Sequence, residues 1–291
     1  MQKYLIIIGM IVLWGCTRDI ELEQPYYQKK IVVDGWIESG GFANVFLTLS
    51  SPFLTEYDSV SIRNTFLNYA KITVSCSDGQ SEVLTLFRES KLFPPFVYRS
   101  VSLKGETCKS YSLKVEVFGK TITATTTIPQ PPKTSRIWMD SQSDSSGFLK
   151  VDLQPDSQKI TRIFVQVKSA VADQNFHPCF TPVITLSPSN KEQNINVWRS
   201  RETNLYLMDP KQDKYDNWPK FQYALSDFIQ IKIGTIDEES FEILRSIFND
   251  QKNTDNPFAL SGISIKTNIQ GGIGRWTGIG VAPILLQFPS K

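Results

Sequence analysis

Tyr111–Ile128 reads YSLKVEVFGKTITATTTI, and two alternating patterns run through it. Tyr111, Leu113, Val115 and Val117 occupy every second position. After the Gly119-Lys120 turn, Ile122, Ala124, Thr126 and Ile128 do the same. A period of two belongs to the β-strand, where successive side chains point to opposite faces, so the stretch predicts a hairpin with one face buried. The pattern recurs upstream. Lys30–Ile37 is β-rich, and Asn44–Leu49 sets Val45, Leu47 and Leu49 on one side. Tyr69–Cys76 aligns Ile72, Val74 and Cys76. Ser77-Asp78-Gly79 then makes a hairpin turn, because glycine after aspartate readily takes positive φ, and Ser81–Phe87 is its return strand. Val97–Leu103 follows, with a turn at Gly105-Glu106-Thr107. Short strands at this spacing predict an immunoglobulin- or transthyretin-like β-sandwich over residues 29–128.

Pro129-Gln130-Pro131-Pro132 interrupts the pattern, since three prolines in four residues do not continue a sheet interior. Residues 129–135 are therefore expected as a linker, and residues 136–291 as a second β-rich domain. Its strands are read at Arg136–Met139, Phe148–Leu153, Ile160–Val171, Asn204–Met208, Ser226–Thr235, Ile263–Thr267 and Val281–Phe288. One helix is expected, over Asp237–Gln251: Phe241, Leu244, Ile247 and Phe248 share a face, and Asp237 is a plausible N-cap.

The first sixteen residues, MQKYLIIIGMIVLWGC, carry Lys3 and an apolar run from Tyr4 to Leu13. Ten residues at 1.5 Å each fall short of about 30 Å of hydrocarbon, so the run reads as a signal peptide over residues 1–15. Leu13 is a poor −3 residue for ordinary secretory cleavage. An aliphatic at −3, a small residue at −1 and Cys16 at +1 instead fit lipoprotein processing. Cys16 is then the acylated N-terminus, and the polar residues 16–28 are a tether. Two or three acyl chains, at about 0.8 kcal/mol per buried methylene, hold such a protein on a membrane.

Lys and Arg number 31 against 29 Asp and Glu, so no charge excess points to nucleic acid. Of the remaining cysteines, Cys76, Cys108 and Cys179, at most one pair forms. Cys76–Cys108 is the candidate disulfide, with free thiols favoured over it. Catalytic signals are sparse. His177 is the sole histidine, so no paired-histidine metal site is expected. No catalytic residue, metal site or cofactor is assigned. Asp237, Glu238 and Glu239 suit a helix N-terminus better than an acid pair. Gly271-Gly272-Ile273-Gly274 leads into Arg275-Trp276 rather than a helix, which reads as a tight turn where backbone meets backbone. Scattered tryptophans leave a glycan-stacking hypothesis open, with Trp218 and Trp276 as its candidate ligand-binding residues.

The helix at 240–251, Asn256-Pro257-Phe258 and the run Thr267-Asn268-Ile269-Gln270-Gly271-Gly272-Ile273-Gly274-Arg275-Trp276-Thr277-Gly278 resemble the Bacteroidetes lipoproteins of Domain of Unknown Function family 4249. Ile31–Ile37, Ala70–Val74, Gly105 with Tyr111–Val115, and Ile128–Pro132 extend the resemblance across the chain. Arg275-Trp276 departs from the more usual aliphatic and Phe, and Cys108 stands where glycine is usual. The resemblance implies no catalytic residues. It implies an outer-membrane lipoprotein commonly encoded beside a TonB-dependent receptor barrel. The expected function is a non-enzymatic accessory or ligand-binding partner of that transporter; a glycan-binding or glycan-active surface protein and a structural adhesin module are the alternatives.

Overall fold

In the computed structural model of the protein, the described residues are 27–51, 58–89, 94–141, 143–144, 146–169, 176–197, 223–224, 229–253 and 265–285. The expected signal peptide, Cys16 and most of the expected tether lie outside them, as do the expected strand at 204–208 and Trp218.

The protein is mainly β. Strands β1 (Ile31–Glu38) and β2 (Phe42–Leu49) alternate buried and half-buried residues along their length. They pair antiparallel from Ile31↔Leu49 to Trp36↔Asn44. A short helix α1 (Ser59–Arg63) follows, capped by Asp58, whose Oδ1 accepts from the Ser61 amide at 2.6 Å. The sequence pattern did not announce it: five residues are too few to show a helical period.

Strands β3 (Lys71–Cys76), β4 (Ser81–Val83), β7 (Ser110–Val117) and β8 (Lys120–Thr127) form one sheet in the order β4-β3-β7-β8. The expected single return strand at 81–87 is divided. Beyond Leu84, β5 (Thr85–Arg88) leaves this sheet and joins β6 (Phe96–Lys104) in another. The two sheets enclose one core, in which Val33, Ile37, Val45, Ile72, Val74, Leu113, Val115 and Ile122 are all at most 1% exposed. The alternation read in the opening hairpin is the inner face of this core.

The rest of the chain builds a second layered unit. Strands β9 (Lys133–Ser141), β10 (Ser146–Gln154), β13 (Gln193–Val197) and β14 (Tyr223–Ala224) form a four-stranded sheet. It packs on β11 (Thr161–Ser169), β12 (His177–Leu186) and β15 (Ile229–Thr235) through Leu149, Val151, Ile163, Val165, Ile231 and Ile233. Strand β9 begins at Lys133, inside the stretch expected to be linker. The helix appears as α2 (Glu238–Asn253), with the Ser240 amide donating to Asp237 Oδ1 at 2.7 Å as an N-cap requires. Its Phe241 and Leu244 pack on Phe164 and Ile279.

One strand breaks the expected division of the chain at the proline run. Residues 273–285, assigned by sequence to the second domain, form a single strand, β16 (Ile273–Leu285), that serves both units. Its first half lies parallel to β1, from Val32↔Ile273 to Glu38↔Ile279. Its second half lies antiparallel to β15, from Thr235↔Gly280 to Gln230↔Leu285. One eight-stranded sheet results, in the order β12-β11-β15-β16-β1-β2-β6-β5. Parallel pairing with a strand some 240 residues upstream leaves no local trace in sequence, because no turn joins the partners.

A carboxylate fastens the two sheets of the first unit. Glu82 on β4 accepts from the backbone amides of Val101 at 2.7 Å, Ser102 at 3.1 Å and Leu103 at 2.6 Å, and from the Ser102 hydroxyl at 2.8 Å. Burial opposes its ionisation, but the donated bonds outweigh that and hold the carboxyl below its ordinary value. A lowered folded pKa contributes stability that is present above the unfolded value and lost as pH falls through the folded one. Glu82→Gln is expected to lower the urea midpoint at neutral pH. It should also flatten the decline in stability below about pH 4.5, near the unfolded carboxylate value. Parallel parent and variant curves from pH 7 to 3 would contradict this.

Candidate functional site

The glycine-rich run is where the backbone is tightest. Gly271 turns the chain with φ 83° and leads into β16. Gly274 has φ 115°, and a Cβ there would overlap the carbonyl oxygen of Val33 on β1. On the other side a Cβ on Gly278 would lie 2.7 Å from the Thr127 carbonyl oxygen, and one on Gly280 would overlap that of Pro129. The run is thus a place where β16 slides between two neighbouring backbones, as the sequence suggested, and it extends further along the strand than the turn.

Asn268 completes the motif. Its Oδ1 accepts from the Trp276 amide at 2.9 Å, and its Nδ2 donates to the Trp276 carbonyl at 2.8 Å. One side-chain amide satisfies both backbone groups of a residue whose free edge has no strand beside it.

Trp276 fills the space its glycine neighbours leave. It is 0% exposed in the first core, and its Nε1 donates to the Tyr111 carbonyl at 2.9 Å. The expectation that Trp276 stacks on a ligand is therefore corrected. Even-numbered positions of β16 face the core, so the indole points inward and reaches no solvent. Its partner Trp218 lies outside the described residues.

The candidate disulfide does not form, and the favoured reading of free thiols holds for both Cys76 and Cys108. Cys76 ends β3 on the buried face. Cys108 sits in an exposed turn at φ 63°, where its Sγ accepts from Gln130 Nε2 at 2.9 Å. Around them Lys109 bonds Asp78 and Glu106, each at 2.8 Å, and the Lys109 ammonium holds Asp78 down to about 2. Burial pushes the Tyr111 phenol up to about 12. These are turn and core fastenings. The side chains of His177 and Cys179 lie outside those described. Among the described residues no group of three or more His, Cys, Asp or Glu could hold a metal ion.

The face of the eight-stranded sheet opposite the two cores carries a different chemistry. On β1 its members are Asp34, Trp36 and Glu38. Arg275 Nε donates to Asp34 Oδ1 at 2.6 Å, and its guanidinium carbon lies 5.7 Å from the Trp36 ring centre. Trp36 stacks on Phe46, with centroids 5.8 Å apart. Lys232 Nζ donates to both Glu38 oxygens at 2.8 and 2.9 Å and lies 4.5 Å from the Phe176 ring, which Lys168 also approaches at 5.0 Å. Toward the other edge Arg99 bonds Asn44 and Glu89, each at 2.8 Å, and lies over Phe87. The face is a band of cations alternating with aromatic rings across both units. The pairs are half-buried, and Trp36 also packs against the cluster of Phe241, Leu244 and Ile279 beneath α2. The alternating burial along β1 sets Asp34, Trp36 and Glu38 opposite the first core, a face that the sequence reading of Lys30–Ile37 as merely β-rich did not assign. Their partners Arg275 and Lys232 come from segments that only β16 brings alongside.

The chain belongs to the family described as Domain of unknown function (DUF4249), whose model matches residues 17–282. No curated protein matches it. Among solved structures, one similar chain is a DUF4785 family protein from Legionella pneumophila subsp. pneumophila. It is 12% identical over 71% of this chain and 52% of its own length, with a TM-score of 0.23.

Gly274→Ala should destabilise the protein by about 3 kcal/mol or more, since it adds both backbone strain and a steric overlap. Trp276→Ala should cost about 3–5 kcal/mol through the cavity it leaves. Urea unfolding measures both; a shift under about 0.5 kcal/mol, the size of an ordinary surface change, would contradict the close-packing account of β16.

Proposed function

We propose that the protein is a lipid-anchored outer-membrane lipoprotein that acts, without catalysis of its own, as an accessory or ligand-binding partner of a TonB-dependent transporter. The observation that carries this reading is the ending Leu13-Trp14-Gly15-Cys16 behind a ten-residue apolar run. Cys16 is the acylated residue, residues 16–28 are the tether, and the β body beyond them is the working part. The resemblance of the glycine-rich run and its neighbours to lipoproteins encoded beside receptor barrels supports the choice of partner. The cation–aromatic band supports a role in contact, because it offers charge and stacking without a nucleophile and base. The first unit is the spacer or docking module, and the second reaches the ligand or the barrel.

A Cys16→Ser variant should take up no labelled palmitate and should keep its leader. Appearance of a processed, membrane-bound form without label would sink the anchoring assignment. Tagged native protein should also bring down a β-barrel receptor from detergent-solubilised outer membrane; recovery of none would remove the transporter from the proposal.

A further inference from the structure

The end of the first unit where β1 begins carries a cluster of exposed aromatics. Phe118 is 56% exposed and Tyr69 is 60% exposed, and their rings meet edge to face with centroids 5.4 Å apart. Phe118 sits at φ 53° at the tip of the β7–β8 hairpin, followed by Gly119 at φ 70°. A two-residue turn with both φ values positive suits Asn, Asp or Gly, and a bulky aromatic there is a costly choice. The ring is not placed there to fill a core, because most of it is in solvent. Val60 on α1 and Tyr27 before β1 add apolar surface, at 59% and 41% exposed.

Backbone contacts fix these groups at one end. Ile31 pairs with Leu49, and the Ser50 amide donates to the Lys30 carbonyl at 2.8 Å, so the start of β1 meets the end of β2. The Leu49 amide donates to Thr65, which brings α1 and the segment leading to Tyr69 to the same end. A Cβ on Gly271 would lie 3.3 Å from the Thr121 carbonyl oxygen and one on Gly272 2.8 Å from that of Ile31, tying the start of β8 to the start of β1. Lys71 pairs with Glu116 across β3 and β7. Lys29, Lys30, Arg63, Lys71 and Lys120 are exposed here, against the carboxylates of Asp58 and Glu116. The chain that enters β1 at this end comes from Cys16, fifteen positions before Ile31. The second unit lies at the opposite end, where β16 runs past Glu38 to meet β15.

We propose that this end is a second membrane contact: Phe118 and Tyr69 insert at the headgroup level of the bilayer, and the surrounding Lys and Arg side chains meet anionic phospholipid. The occupant is a lipid surface, on three grounds. The tether delivers this end to the membrane, the charge complements anionic headgroups, and exposed aromatics with flanking lysines suit the interface between water and acyl chains. The acyl chains at Cys16 supply the attachment, and the tip adds a second point of contact that holds the body in one orientation. The orientation rests on the anchoring at Cys16 proposed above.

The test uses the mature acylated protein in vesicles of phosphatidylethanolamine and phosphatidylglycerol containing brominated lipid. Phe118→Trp places an indole at the tip, and Gln80→Trp places one on the β3–β4 hairpin at the far end. Emission of each is read as the difference from the parent protein. Bromine quenching at position 118 should exceed that at position 80 by at least about twofold, as a headgroup-level ring requires. It should weaken when phosphatidylcholine replaces phosphatidylglycerol. Equal quenching at the two positions in labelled, vesicle-bound protein overturns the tip contact and leaves the anchor standing; absent palmitate label overturns the anchor instead. Phe118→Asn should keep or raise the melting temperature, since it relieves the positive φ. A fall of several degrees would make Phe118 a packing residue and overturn the proposal.

Discussion

Backbone-on-backbone contact along β16 is the constraint from which the rest of the structure follows. A strand wedged between the β1 carbonyls and those of Thr127 and Pro129 has no room for Cβ atoms where they meet. The same wedging brings one large side chain, Trp276, into the core as its neighbours vanish, and places Arg275 and Ile279 on the other face. Asn268 supplies the hydrogen bonds that a neighbouring strand would otherwise provide. The motif therefore describes a packing geometry.

Because β16 pairs with β1 in its first half and β15 in its second, the two layered units share one sheet. Each unit has its own core, and α2 covers the opposite face near the point where they join. The cation–aromatic band exists only because the sheet is continuous. Arg275 reaches Trp36, and Lys232 reaches Glu38, from strands more than 190 residues away. Paired in this way, the charges on the band are half-buried, and the surface is ordered with little side-chain entropy left to lose.

Local patterns carried much of the fold. The hairpin at Tyr111–Ile128, the Asp78-Gly79 turn, the Asp237 cap and the glycine-rich run were all legible, because each depends on neighbours in sequence. What failed depended on distance. The proline run looked like a boundary, yet β16 crosses back over it, and the single strand read at 81–87 divides between two sheets at Leu84. Trp276 was a ligand candidate only as one of several scattered tryptophans, since flat aromatics can stack on sugars. Its burial comes from strand parity against a core built 160 residues earlier. The less favoured Cys76–Cys108 pairing does not form: alternation placed Cys76 inward and gave no direction for a turn residue. For the site, the sequence reading found the strand that carries Asp34 and Trp36 but assigned neither its outer face nor the partners that complete the band.

The parallel pairing of β1 with β16 also has a temporal side. Until residues 273–279 have emerged and folded back, one long edge of β1 is bare and the first core lacks its indole. Contacts this far apart in the chain form slowly, since the closure entropy falls due before any packing is gained. A polypeptide emerging N-terminus first thus stays incompletely closed through most of its passage. Strand β16 acts as a latch, shutting both units in one late event.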